Sequence, residues 1–155
     1  MNCSFLEAGP IKRPARAVNE TKTRGRARPE VLVAEPDESV RRVICRGLRA
    51  AGIAAREAST AAQVRDAVAA GKLDVIVLNC GRLGETSGFE VGKWLIFNDP
   101  AVKLICIDGV LERAGQCGVP PNRTTRIVHK PFGPRVIVDH IFSMLARAAG
   151  TNPRN

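Results

Sequence analysis

A chain of 155 residues, 45% hydrophobic and 25% charged, has the length and composition of one soluble globular domain and is too short for two. No apolar run approaches the roughly 20 residues of a membrane span, which excludes a spanning helix. The net charge of +9 suits either nucleic acid or an acidic protein partner.

Residues 1–29 hold no sustained periodicity. They mix Gly9, Pro10, Pro14, Gly25 and Pro29 with charge, so they read as a disordered basic arm, dispensable for folding. Residues 1–30 carry seven basic against three acidic side chains, a net +4, with the basic groups between Lys12 and Arg28. Residues 12–28 are therefore the candidate for binding nucleic acid through its phosphates. The arm lacks the interleaved aromatics of a single-strand binder. Met1-Asn2-Cys3-Ser4-Phe5-Leu6 lacks the charged and long apolar regions of a secretory signal, and the expected location is the cytoplasm.

The folded domain is expected over residues 30–149, with 150–155 as a polar tail. Val31 to Ala34 reads as a short strand, and Glu35-Pro36-Asp37-Glu38-Ser39 as a loop that opens a helix. Val40, Val43, Ile44, Leu48 and Ala51 form the inner stripe of that helix, with Arg41, Arg42, Arg46 and Arg49 outside and Gly52 as its stop. Ile53 to Glu57 is a weaker strand. Thr60 and Gln63 fit a capping box, which opens a helix that runs through Val64 and Val68 to Gly71.

Leu73-Asp74-Val75-Ile76-Val77-Leu78-Asn79 is a continuous apolar run closed by an amide and then by glycines. It reads as a strand buried on both faces, with Asn79 at the carboxyl edge of a parallel sheet. A helix from Phe89 to Phe97 turns Val91, Trp94 and Leu95 inward. Val102 to Ile107 is a fourth strand ending at Asp108-Gly109. Residues 110–125 stay ambiguous, because Gly118, Pro120 and Pro121 would cut short any helix there. Arg126 to His129 is a fifth strand, ending at Lys130-Pro131-Phe132. Pro134 opens the last helix, with Val138, Ile141, Met144, Leu145 and Ala148 inward.

Strand and helix alternate throughout. That order predicts an α/β fold: a doubly wound five-stranded parallel sheet with helices on both faces. The five cysteines, Cys3, Cys45, Cys80, Cys106 and Cys117, form no C-x-x-C pair. With only His129 and His140 as imidazoles there is no zinc spacing, and the thiols read as mostly buried and structural.

Four strand ends bring Glu35, Asn79, Asp108 and Lys130 to one edge. With the element order and Lys130-Pro131-Phe132 at the fifth strand end, residues 31–148 resemble the receiver domain of bacterial response regulators. The resemblance implies a receiver, flavodoxin-like fold, with a cis peptide before Pro131. It also implies a chemistry: two adjacent acids and an acceptor Asp hold Mg²⁺, and the Asp attacks phosphorus. A hydroxyl residue and a Lys then hold the phosphoryl group.

This chain departs from that pattern. Glu35 matches the first acid, but Pro36 takes the second position and leaves Asp37 one residue late. Asn79 takes the acceptor position and Asp108 the hydroxyl position. Lys130 is retained, Ile127 stands where the family often has a switching aromatic, and Gly81 where it has a carbonyl ligand.

The amide of Asn79 is a poor nucleophile, so ordinary aspartyl phosphorylation is excluded there. Glu35, Asn79 and Gly81 remain only as weak metal ligands, and the expectation is no cofactor, with Mg²⁺ binding weakened or lost. Lys130, with no phosphate to meet, should pair with Asp108 or Glu35.

The reading is therefore a degenerate receiver, a pseudo-receiver of the two-component type that acts by protein–protein binding and not as an enzyme. Its partner would be a sensor kinase or another regulator, with oligomeric state open. A nucleic-acid-associated protein is the alternative. Phosphorylation at Thr86 or Ser87, in the loop after Asn79, is a third reading.

Overall fold

In the computed structural model, residues 28–108 and 124–149 are described. The arm up to residue 27, the ambiguous stretch 109–123 and the tail lie outside the described residues. The sheet strands are β1 (Glu30–Ala34), β2 (Ala54–Ala58), β3 (Val75–Asn79), β6 (Leu104–Asp108) and β7 (Thr125–His129). Two further strands, β4 (Arg82–Leu83) and β5 (Thr86–Ser87), pair antiparallel in a small ladder the sequence does not signal. The helices are α1 (Glu38–Ala50), α2 (Ala61–Ala69), α3 (Gly88–Asn98) and α4 (Pro134–Ala149). None of the described helices is long and apolar enough to cross a membrane.

The main sheet is parallel in the order β2-β1-β3-β6-β7, the doubly wound arrangement expected. Alternation of side chains along a strand explains why its runs are apolar throughout. Leu32, Ile76, Leu78, Leu104 and Cys106 pack on one face against Val64 and Val68 of α2 and Val91, Trp94 and Leu95 of α3. Val31, Val33, Val75, Val77, Ile105 and Ile107 pack on the other against Ile44, Cys45 and Leu48 of α1 and Ile137, Ile141 and Met144 of α4. The Pro29 carbonyl accepts from the Ala54 amide at 2.8 Å, which ties the chain just before β1 to the start of β2.

Two inward assignments and one outward assignment shift. Val43 is 55% exposed, and Cys45 takes the buried place on α1. Ile137 is fully buried in α4, whereas Val138 and Leu145 pack only at its margin. Arg41 does not point away from the protein; its side chain is 14% exposed and lies against β2.

Caps fix the helix starts. The Asp37 carboxylate accepts from the Val40 amide at 3.0 Å and opens α1. The Thr60 hydroxyl accepts from the Gln63 amide at 3.3 Å, while the Gln63 side chain accepts from the Ser59 amide at 2.7 Å, one residue upstream of an ordinary capping box. Ser87 Oγ accepts from the Glu90 amide at 3.2 Å and opens α3.

Candidate functional site

The register lines up the strand ends. Ala34 lies opposite Leu78, Asn79 opposite Ile107, and Asp108 opposite His129. Glu35, Asn79, Asp108 and Lys130 therefore follow one carboxyl edge, as the sequence predicts. The Lys130–Pro131 peptide is cis.

The centre of the edge is Glu35, a carboxylate 1% exposed. Burial of a charge is costly unless every lone pair finds a donor. The chain supplies them locally. Glu35 Oε1 accepts from the Asp37 amide at 3.0 Å. Oε2 accepts from Asn79 Nδ2 at 2.7 Å and from Lys130 Nζ at 3.4 Å. Lys130 thus meets Glu35, one of its two expected partners, across a separation of 95 residues.

The amide of Asn79 has one workable orientation. Its Nδ2 faces the carboxylate, and its Oδ1 accepts from the Gly81 amide at 2.7 Å. Turned over, it would set oxygen against carboxylate and hydrogens against an N–H. Asn79 is thus a neutral donor clamped between a carboxylate and a backbone amide.

The loop beyond it is closed as tightly. The Gly88 amide donates to the Gly81 carbonyl at 2.5 Å. A Cβ on Gly88 would stand 1.7 Å from the Asn79 carbonyl oxygen, so only glycine lets α3 begin here. Thr86 and Ser87 lie in β5, with the Ser87 hydroxyl engaged as the α3 cap.

These donors do not suit Mg²⁺. Both Glu35 oxygens already accept hydrogen bonds, Pro36 has no carboxylate, and Asp37 caps α1. Asn79 presents nitrogen to the site, and the Gly81 carbonyl is taken by Gly88. A hard cation needs several convergent oxygens. Among the described residues no group of three or more His, Cys, Asp or Glu side chains converges.

A second network, which the sequence does not signal, stabilises the loop from behind. Arg41 Nη1 donates to the Glu35 carbonyl at 2.8 Å and the Pro36 carbonyl at 3.4 Å. Its Nε donates to Glu57 Oε2 at 3.2 Å, and Arg49 Nη2 meets Glu57 Oε1 at 3.1 Å. The hydrogen bond from Arg49, with Arg41 beside it, holds the Glu57 carboxyl below its usual range. Burial, with Glu57 adding to it, pushes the Cys45 thiol up to about 11, as befits a structural thiol. Cys106 is also buried and Cys80 half-buried. His129 is exposed, and Ile127 packs partly buried against the α2–α3 core. Gly118, Pro120 and Pro121, expected to cut short any helix after β6, lie outside the described residues, as does nearly all of the basic segment 12–28.

A five-stranded parallel sheet in this order, with polar strand ends along one edge, defines a receiver-type, flavodoxin-like fold. Many of the solved structures it resembles are receivers. A receiver domain protein of CheY-like type from Methanospirillum hungatei superposes with a TM-score of 0.69 at 18% identity, over 81% of this chain and 100% of that one. A response regulator receiver protein from Sinorhizobium medicae gives 0.67 at 20% identity, over 77% and 95%. The receiver domain of a signal transduction histidine kinase from Syntrophus aciditrophicus gives 0.68 at 16%, over 82% and 97%. No family model matches the chain, and no curated protein does.

Proposed function

We propose that this chain is a response-regulator-like signalling domain whose acceptor edge is held closed by its own side chains. It is a cytoplasmic pseudo-receiver that works by binding another protein, a sensor kinase or a second regulator, and not by catalysis. The observation that carries this reading is the buried Glu35 carboxylate, bonded to Asn79 Nδ2 at 2.7 Å and to Lys130 Nζ at 3.4 Å.

The physical argument is one of substitution. Three carboxylates meeting at a receiver edge repel one another unless a divalent cation lies among them. Here an amide donor and an ammonium do the cation's work, and no Mg²⁺ is required. The lysine that would otherwise meet a phosphoryl group already has a carboxylate. The edge then has one stable arrangement, and the surface it supports is presented constitutively.

Incubation with acetyl phosphate and Mg²⁺, followed by intact-mass measurement, tests the reading. The protein should gain no phosphoryl group, and Asn79→Asp alone should restore little, because Pro36 still denies the metal its second acid. A stable phosphoryl adduct on Asn79, Thr86 or Ser87, or rapid phosphorylation of Asn79→Asp, would overturn it.

A further inference from the structure

A cleft of about 550 Å³ lies beside the closed edge, between α1 and the turn from β7 into α4. Val40, Val43, Ile44, Pro131, Phe132 and Pro134 make its walls. Its origin is a close approach one turn further along α1. A Cβ on Gly47 would stand 2.6 Å from Pro134 Cβ, so the two elements touch there, and around Val43 they part. That is why Val43, in phase with the buried stripe of α1, is still 55% exposed.

Among the described residues, two polar side chains line this cleft. Ser39 brings a hydroxyl, and Lys130 brings a positive charge. An ammonium has three donors, and Glu35 takes one of them at 3.4 Å. The Lys130 side chain is 32% exposed, so its other donors are within reach of a molecule in the cleft. Glu35 is almost wholly buried, and among the described residues no acid lines the cleft.

We propose that this cleft binds a small organic monoanion: an aromatic or branched apolar body bearing one acidic group. The volume falls within the roughly 300–1,000 Å³ of small-molecule sites, which are mostly apolar with few polar groups. The body is buried against Val40, Val43, Ile44 and Phe132. The acidic oxygens take charge-assisted hydrogen bonds from Lys130. A cation would face the ammonium, and a neutral molecule would leave its donors to water. The inference goes beyond the receiver reading, since it needs only the cleft and the ammonium.

The test is fluorescence titration of the full chain with anilinonaphthalene sulfonate and with its uncharged relative N-phenylnaphthylamine. The sulfonate should bind saturably, one to one. Lys130→Met should weaken the sulfonate by about tenfold or more, the loss of one charge-assisted hydrogen bond, and leave the neutral probe unchanged. Val43→Glu, at an exposed position that should not disturb folding, should weaken both, and it keeps the test decisive if Lys130→Met folds poorly. Unsaturable binding, or sulfonate binding that neither variant changes, would overturn the proposal. So would light scattering in which Val43→Glu turns a dimer into a monomer, because a second copy would then fill the cleft.

Discussion

Asn79→Asp changes one atom at the centre of the closed edge, and its cost can be worked from the structure. The hydrogen bond from Gly81 at 2.7 Å survives, because a carboxylate oxygen accepts as well as an amide oxygen. The other side fails: the donor 2.7 Å from Glu35 Oε2 becomes a second carboxylate oxygen. Losing a charge-assisted hydrogen bond costs about 1.5–3 kcal/mol. Bare repulsion at that spacing would be about 6 kcal/mol at an effective dielectric of about 20. The site relieves most of that by retaining one proton between the two carboxyls. The expected net loss is about 2–4 kcal/mol at neutral pH. The sign of the pH dependence follows from proton counting. At about pH 5.5 the unfolded chain has released its carboxyl protons, whereas the folded variant keeps one, so its stability rises as the pH falls. Urea denaturation at about pH 7.5 and about pH 5.5 should show a deficit that shrinks in acid. Equal stability at neutral pH, or a deficit that widens in acid, would refute the donor role given to Asn79.

Three other substitutions probe the same edge. Lys130→Met should cost about 1–3 kcal/mol in urea denaturation, between the ranges for exposed and buried pairs, since Glu35 keeps its bonds from Asn79 and Asp37; an unchanged curve would remove Lys130 from the cluster. Gly88→Ala should cost about 3 kcal/mol or more, because its methyl cannot share space with the Asn79 carbonyl and α3 must move; a melting temperature within a degree or so of the parent would contradict that contact. Glu57→Gln should flatten the acid limb of the stability curve. The Glu57 carboxyl lies below its ordinary 4.5, so its stabilisation is present above that value and lost as the pH falls through the lowered one. An acid limb as steep as the parent's would disconnect Glu57 from Arg49 and Arg41.

The sheet was legible because its strands are short β-branched runs closed by turn residues, and their polar ends mark one edge. Glu35, Asn79 and Lys130 could be brought together on that ground alone. Their bonding could not, because a 95-residue separation leaves no local pattern. The inner stripe of α1 included Val43 since helical periodicity cannot register that the β7–α4 turn stands away from it. Ile137 was missed for a related reason: α4 buries a face one residue out of phase with the stripe that Val138 and Leu145 suggest. Arg41 looked like one more solvated arginine, and only the fold reveals two carbonyls and a carboxylate within its reach. The β4–β5 ladder, two residues a side, is too short for any periodic signal.

The pairing of Glu57 with Arg41 and Arg49 has a further consequence for the margins of the sheet. Among the described residues β2 is an edge strand, and a bare edge is a template on which a second chain can add a strand. Arg49 reaches over it to the Ala55 carbonyl at 3.1 Å as well as to Glu57, and Arg56 extends from it to the Gly71 carbonyl at 3.4 Å. The opposite margin, β7, carries Arg126 and an exposed His129. Charge thus covers the β2 border, and addition of a strand from a second chain is discouraged there.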